Sequence, residues 1–339
     1  MFKFSIILLV LCAVSCNTKD VKTKLISNNN NKIVIAHRGA SGYLPEHTLP
    51  AKAMSYAMNV DFIEQDIVLS KDNVPIIIHD IHLEAVTDVA LKFPNRNRND
   101  GRYYVIDFSF EELKQLNVSE RFNPTTNEAV FSTRFPLNTS TFKLHSLQEE
   151  IELIKGLNKS TGKNIGIYPE IKEPVFHNNE GKDISKIVLK VLADYGYKNK
   201  NDNCILQCFD VAELKRIRFQ LKSELFLVQL IEFEEDENRL EEFSKYADGI
   251  GPWYRQIIKG KDKNGKWLIS DLVINAHKNN LKVHAYTFRA DELGDFKTFD
   301  ELLNVTLFEA NIDGVFTDFP DKIVEFINKN RGQYLNSYL

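Results

Sequence analysis

Short apolar segments alternate with helix-like segments about eight times after residue 32. Ile33–Ala36 and Phe62–Leu69 are typical of buried strands, and Leu49–Asn59 between them carries apolar residues at helical spacing. This alternation predicts an α/β protein with a parallel sheet. About eight βα units in roughly 300 residues fit a (β/α)8 barrel, with an open, doubly wound sheet as the alternative. No glycine-rich dinucleotide loop follows the first segment, which disfavours a nucleotide-binding version of that alternative.

Residues 88–145 interrupt the alternation. This segment is rich in Arg, Asn, Phe and Tyr, and we interpret it as a loop insertion after the second strand region. The folded domain is predicted to span residues 32–330, with a tail at 331–339. Its two cysteines, Cys204 and Cys208, are four residues apart in an apolar run. On a strand they would lie about 13 Å apart, too far for a disulfide, so buried free thiols are predicted.

The N-terminus resembles an export signal. Its apolar run, residues 4–14, is too short to span a bilayer and ends in small residues before Cys16, as in a bacterial lipoprotein processing site. Residues 1–15 are therefore predicted to be a signal peptide, with Cys16 lipidated; an ordinary cleaved signal is the alternative. The polar, Asn-rich residues 16–31 are interpreted as a flexible tether. We expect an exported periplasmic or surface lipoprotein anchored to a bacterial membrane.

Three carboxylates occur within apolar strand segments. Glu64 and Asp66 are two residues apart, so on a strand they point to one face. Two such carboxylates repel each other and lose hydration, and therefore need a cation. Glu170, followed by Lys172, adds a third carboxylate to a hard oxygen site suited to Ca²⁺ or Mg²⁺, whereas nothing here suggests zinc. Exposed acids on an edge strand are the alternative.

Two histidines stand at the ends of strand segments. His37 and Arg38 end the first apolar run, and His79 follows the run at 74–78. The guanidinium of Arg38 can hold a phosphate bidentately. A single histidine in such a place usually packs and hydrogen-bonds, but two of them near acids favour general acid–base catalysis.

The net charge of −4 gives no bulk electrostatic case for binding nucleic acid.

The ends of later strand segments carry polar and aromatic side chains. In a barrel, these ends form the mouth of the active site. Such side chains can contact a substrate there, although core packing is the alternative for each aromatic. The residues in question are Gln207, Phe209, Trp253 and Tyr286.

At these positions the sequence resembles the glycerophosphodiester phosphodiesterases, most closely the bacterial periplasmic type. The resemblance covers nearly all of the predicted mature chain, including DGRYYVIDF in the insertion. It is carried by HRGASGYLPEHT, EQDIVLSKD, IIIHD, NIGIYPEIK, LQCFD and FTDFP. The broader family commonly has Asn where this chain has His47, a position at which the periplasmic type tolerates His.

The resemblance implies a (β/α)8 barrel and a bound Ca²⁺, with Mg²⁺ less suitable. The implied metal ligands are Glu64, Asp66 and Glu170. His37 is then the general base and His79 the general acid. Arg38 and Lys172 are the implied phosphate contacts.

The implied reaction is hydrolysis of glycerophosphodiesters to sn-glycerol 3-phosphate and an alcohol, in glycerol uptake and lipid metabolism. The nucleophile is a water or a hydroxyl of the substrate. Expected partners are this small-molecule substrate and, through the lipid anchor, a membrane; nucleic acid is not expected, and no oligomeric state is predicted. Two alternatives are a phospholipase-like enzyme of the same barrel type and a surface lipoprotein that binds immunoglobulin.

Overall fold

A closed barrel of parallel strands forms the centre of the computed structural model, which describes residues 32–335 and the side chains of residues 32–330. The strands are β1 (Ile33–Ala36), β2 (Phe62–Leu69), β3 (Pro75–Ile77), β4 (Gly166–Ile171), β5 (Ile205–Cys208), β6 (Phe226–Ile231), β7 (Gly249–Pro252), β8 (Ile258–Lys261), β9 (Trp267–Ile269), β10 (Lys282–Phe288) and β11 (Gly314–Thr317). Eight of them run in the order β1-β2-β4-β5-β6-β7-β10-β11, and β11 pairs with β1 to close the barrel. The predicted (β/α)8 barrel is confirmed.

Three strands lie outside the barrel. β3 pairs antiparallel with β2, so the second barrel strand is followed by a hairpin before the insertion begins. β8 and β9 form a separate antiparallel pair after β7.

Helices connect the strands and cover the barrel. They are α1 (Leu49–Ala57), α2 (Val89–Lys92), α3 (Phe110–Leu113), α4 (Leu147–Thr161), α5 (Pro174–Asn179), α6 (Ile184–Asp194), α7 (Val211–Lys215), α8 (Leu240–Phe243), α9 (Tyr254–Ile257), α10 (Leu272–Lys278), α11 (Phe299–Leu303) and α12 (Pro320–Leu335). Two short 3-10 helices lie at Val105–Asp107 and Glu234–Arg239. Two π-helical segments lie at Arg216–Gln220 and Asn304–Glu309.

The helix α12 continues past the predicted domain boundary at residue 330. The predicted signal peptide (1–15) and tether (16–31), with Cys16, lie outside the described residues. Among the helices of residues 32–335, none combines the length and the apolar character needed to cross a bilayer.

Local sequence explains where α4 begins and ends. The Ser146 hydroxyl accepts a hydrogen bond from the Glu149 amide at 3.2 Å, and the Glu149 carboxylate accepts one from the Ser146 amide at 2.8 Å. This reciprocal cap satisfies two amides that have no partner within the helix. At the other end, Gly162 takes a left-handed φ of 74°, which costs little without a side chain.

The barrel has an apolar interior and an apolar outer layer. Ile35, Tyr168 and Phe316 belong to a buried cluster that fills the interior. A larger cluster packs the outer faces of the strands against the helices, and it contains Cys204 and Cys208. Both cysteines are free and buried, as predicted.

The insertion has a buried cluster of its own. Its apolar residues, including Val105, Phe108 and Leu113, pack with Val68 of β2 and Ile76 of β3. The segment therefore rests against the barrel through apolar contacts as well as through the polar contacts described below.

A buried ion pair ties α1 and α4 to β2. Lys52 and Glu150 lie 3.2 Å apart (Nζ–Oε1) and their side chains are completely buried. The Glu150 carboxylate also accepts hydrogen bonds from Gln65 and His145, each at 2.8 Å. Lys52 further donates to the backbone carbonyl of Glu64. A charge in this position is tolerated only because its partners are present.

Replacing Glu150 with Ala should therefore lower the free energy of unfolding by about 3–5 kcal/mol, because it leaves the Lys52 ammonium buried without its counter-charge. Urea denaturation followed by circular dichroism measures this loss. The control is Glu241→Ala, which removes an ion pair between Glu241 and Lys245. The side chain of Glu241 is 85% exposed. We expect little change there because exposed pairs contribute little. Equal losses in the two variants would contradict the role given to the buried pair.

Candidate active site

All the predicted site residues with described side chains line one cavity at the carboxyl ends of the barrel strands. Its volume is about 210 Å³. The predicted residues in its wall are His37, Arg38, Glu64, Asp66, His79, Glu170, Lys172, Gln207, Phe209, Trp253 and Tyr286. The carboxyl end of the strands is where (β/α)8 barrels hold their active sites.

Three carboxylates form the floor of the cavity. Asp66 and Glu170 stand opposite each other in the β2–β4 register. One oxygen from each of Glu64, Asp66 and Glu170 lies within 4.8 Å of the others, and all three residues are buried. Burial and mutual repulsion raise the pKa of Glu64 well above its usual range, and burial raises that of Glu170 to about 8. Such a group can hold a hard cation.

Two buried oxygen atoms fit this interpretation. Within the described residues, Asp66 Oδ1 and Gln207 Oε1 have no hydrogen-bond partner. The other polar atom of each side chain is engaged: Asp66 Oδ2 lies 2.7 Å from His47 Nε2, and Gln207 Nε2 donates to Glu64 Oε1 at 3.0 Å. Buried polar atoms rarely lack a partner. The donor set, made only of oxygens, suits Ca²⁺ or Mg²⁺.

His47 orients Asp66. Burial and the nearby Lys52 ammonium lower the pKa of His47 to about 3, so its ring is neutral. Nδ1 lies 3.2 Å from Lys52 Nζ and accepts its hydrogen bond, which leaves Nε2–H to donate to Asp66.

Arg38 and His47 both have left-handed backbone conformations, with φ of 57° in each. The Arg38 amide donates to Glu64 Oε2 and the His47 amide donates to the Arg38 carbonyl, both at 2.9 Å. Strained conformations of this kind persist where surrounding contacts hold them, and they are common at active sites. Arg38 Nη1 donates to Glu46 Oε2 at 3.0 Å, while the buried Nε has no hydrogen-bond partner among the described residues. Nε lies 3.5 Å from Asp66 Oδ2, so the guanidinium is held between two carboxylates while it lines the cavity with its positive charge.

His37 is held by the carboxylate of Asp318, the residue that directly follows β11. Its Nδ1 lies 2.6 Å from Asp318 Oδ1. Although burial opposes ionisation, the charges around Asp318 hold its pKa well below its usual range. The ionised carboxylate can only accept, so Nδ1 carries the proton and the lone pair is on Nε2. Burial and Arg38 lower the pKa of His37 to about 4. The ring is therefore neutral near pH 7 and can accept a proton.

His79 has the same arrangement. Its Nδ1 lies 2.6 Å from Asp80 Oδ1, and although burial opposes ionisation, His79 and Arg121 hold the pKa of Asp80 well below its usual range. Burial and Arg38 lower the pKa of His79 to about 4. Sequence reasoning missed both carboxylates, although Asp80 lies in IIIHD and Asp318 in FTDFP.

Lys172 and the aromatic residues complete the wall. Lys172 Nζ donates to Glu170 Oε1 at 2.7 Å. Phe209 and Trp253 are 41% and 42% exposed, so they lie at the mouth and not in the core. Tyr286 is half-buried, and its hydroxyl donates to the Ile231 carbonyl at 3.0 Å. The mouth is therefore apolar on the aromatic side and charged around the carboxylates.

Comparison with known sequences identifies the family. The profile of the glycerophosphoryl diester phosphodiesterase family matches residues 37–322. A glycerophosphodiester phosphodiesterase of Haemophilus influenzae is 45% identical, over 92% of this chain and 94% of its own. That of Treponema pallidum is 38% identical, over 88% of this chain and 93% of its own.

Solved structures share the fold. A family member from Silicibacter pomeroyi gives a TM-score of 0.67 at 21% identity, covering 88% of this chain and 95% of its own. An Oleispira antarctica phosphodiesterase in complex with the product sn-glycerol-3-phosphate gives 0.61 at 22% identity, covering 87% and 96%. At these identities, the structures show the fold alone. From the sequence matches, the chain belongs to the glycerophosphoryl diester phosphodiesterase family and is an enzyme of that family.

Proposed function

We propose that the protein hydrolyses glycerophosphodiesters to sn-glycerol 3-phosphate and an alcohol in this cavity, by histidine acid–base catalysis that depends on Ca²⁺. The observation that carries the proposal is the pair of neutral histidines, each bonded through Nδ1 to an ionised carboxylate, in one cavity with three buried acids. The names of the Haemophilus and Treponema relatives, and the product in the Oleispira structure, support the substrate class.

Two cations of the chain bind and orient the phosphate. Arg38 lines the cavity with its guanidinium held between Glu46 and Asp66, and its positive charge attracts the phosphate. Lys172 brings a second positive charge beside Glu170. Both charges stabilise the negative charge that grows on the phosphate in the transition state. A Ca²⁺ held by Glu64, Asp66 and Glu170 supplies further charge stabilisation when bound.

His37 and His79 move the protons. His37 Nε2 takes the proton of the attacking hydroxyl, from water or from the substrate glycerol. His79 Nε2 gives a proton to the leaving alcohol oxygen. In the free protein, Arg38 and Lys172 contribute to the low pKa of His79. A bound phosphodiester offsets these two charges, and this raises the pKa of His79 so that the ring can act as the acid.

His37→Ala and His79→Ala should each lower kcat at least ~100-fold on glycerophosphocholine, the scale of lost general acid–base catalysis. Glycerol 3-phosphate release is followed with a coupled dehydrogenase, and circular dichroism checks the fold. The control is His277→Ala, because His277 also bonds a carboxylate (Nε2 to Asp313 Oδ2, 2.7 Å) but lies outside the cavity wall. It should keep wild-type turnover.

A substrate with a p-nitrophenol leaving group separates the two roles. This leaving group departs without a proton, so His79→Ala should regain most of its activity on it while His37→Ala should not. Near-normal kcat on glycerophosphocholine in either variant would contradict the acid–base mechanism. If the p-nitrophenol substrate restored activity to His37→Ala instead of His79→Ala, His37 would be the general acid and His79 the general base.

Removing divalent cations with EDTA should abolish turnover, and Ca²⁺ should restore it better than Mg²⁺. Ca²⁺ should also raise the thermal unfolding midpoint, because a ligand that binds only the folded state stabilises it. Glu170→Gln should remove most of this shift, which differential scanning fluorimetry measures without reference to activity. Full turnover in EDTA would exclude the metal role.

We also propose that Cys16 is acylated and anchors the exported domain to a bacterial membrane, where it recovers glycerol 3-phosphate from phospholipid-derived diesters. Cells fed radiolabelled palmitate should label the wild-type protein but not Cys16→Ser, and the variant should leave the membrane fraction. Cys12→Ser is the matched control and should keep both the label and the location. Label retained by Cys16→Ser would rule the anchor out.

A further inference from the structure

We propose that two arginines of the insertion, Arg121 and Arg134, are positioning residues for the two catalytic histidines. Each binds the carboxylate that holds one histidine. The inference rests on the proposed function of His37 and His79, and it gives residues 88–145 a part in the reaction.

Arg134 acts on the His37 side. Its Nη2 donates at 2.7 Å to Asp318 Oδ2, while the other oxygen of Asp318 holds His37 Nδ1. Arg134 is fixed by Asp291, which accepts from Nε at 2.8 Å, and by the ring of Phe131, 3.6 Å from its guanidinium carbon. Only 4% of the Arg134 side chain is exposed. These contacts hold the Arg134 guanidinium in one orientation. Its hydrogen bond to Oδ2 therefore limits rotation of the Asp318 carboxylate.

Arg121 acts on the His79 side. Its Nη1 donates at 2.7 Å to Asp80 Oδ2, while Asp80 Oδ1 holds His79 Nδ1. Its other two donors, Nε and Nη2, form a bidentate pair with Glu46 at 3.0 and 2.6 Å. Glu46 in turn bonds the phosphate-binding Arg38. Arg121 therefore contacts the partners of both a catalytic histidine and the proposed phosphate ligand.

The two histidines are held in the same way, each by a carboxylate whose second oxygen accepts a hydrogen bond from an arginine. A carboxylate bound only to a histidine can turn about its own axis, and the ring can turn with it. An arginine on the second oxygen removes that freedom, as the outer partners of ligating histidines do at metal sites. Asp318 has a second such partner, because Arg289 Nε donates to the same oxygen at 2.8 Å. Arg121 should thus matter more than Arg134.

The kinetic test uses Arg121→Met and Arg134→Met on glycerophosphocholine. Arg134→Met should lower kcat about 10-fold with KM unchanged, and Arg121→Met should lower it nearer 100-fold, the usual range for lost outer partners. Arg121→Met should also raise KM, because Glu46 is freed. Arg134→Lys should regain part of the lost kcat, since one ammonium can reach Asp318. The control, Arg98→Met, removes an insertion arginine bound bidentately to Asp107 and should behave as wild type.

Double variants test which pairs are coupled. Arg134→Met should add no further loss of kcat to Asp318→Asn, and Arg121→Met should add to Asp80→Asn only the loss that comes through Glu46 and Arg38. The crossed combinations, Arg134→Met with Asp80→Asn and Arg121→Met with Asp318→Asn, should multiply their losses. Multiplied losses in all four combinations would overturn the inference.

A measurement without substrate separates this inference from the proposed function. The low-field proton resonances of the two Nδ1–H groups, assigned with the His37→Ala and His79→Ala variants, report each hydrogen bond to its carboxylate. Arg134→Met should shift or broaden only that of His37, and Arg121→Met only that of His79. A wild-type protein inactive on glycerophosphodiesters would defeat the proposed function but leave this readout intact. Unchanged resonances, or a lower unfolding midpoint alone, would overturn the positioning role.

Discussion

Repulsion among three buried carboxylates is the constraint on which the rest of the site depends. Glu64, Asp66 and Glu170 stand on two neighbouring strands with little access to water, and such a group is unfavourable without positive charge. Arg38 and Lys172 place positive charge beside the acids. Beneath them, the buried Lys52 holds His47 and the Glu64 carbonyl. A divalent cation would neutralise the negative charge of the three acids that these cations leave unbalanced.

The two histidines of the site depend equally on parts of the chain that lie outside the strands. His37 and His79 come from neighbouring parts of the sequence, yet the carboxylates that set their tautomers are supplied differently. Asp80 follows His79 directly, whereas Asp318 is 281 residues from His37 and meets it only when the barrel closes. The insertion then reaches both carboxylates through Arg121 and Arg134. A segment that interrupts the barrel pattern thus lies against the centre of the site.

Most of the barrel and of the cavity wall could be predicted because their signals are local. Strand alternation placed Glu64 and Asp66 on one face, and the structure has Gln65 bonded to Glu150 on the other. The position of His37 at a strand end implied the barrel mouth, whereas His79 reaches the cavity just after β3, which pairs antiparallel with β2 outside the barrel. The tether and Cys16 remain predictions. Sequence patterns did not indicate Asp318, Arg121 or Arg134 as partners of the site, because a single aspartate or arginine in a loop has no periodicity to read.

The sequence by itself determined the alternation of strands and helices, the face on which the acids stand and the chemistry of the groups able to handle a phosphodiester. These features follow from the two-residue period of strands and from residue chemistry, which need no knowledge of distant contacts. Only the tertiary structure decided which carboxylate holds which histidine, which Asp66 oxygen is left free, and how the insertion enters the site. Those outcomes depend on distances between segments that approach each other when the barrel closes, and hydrogen bonds act only over about 3 Å.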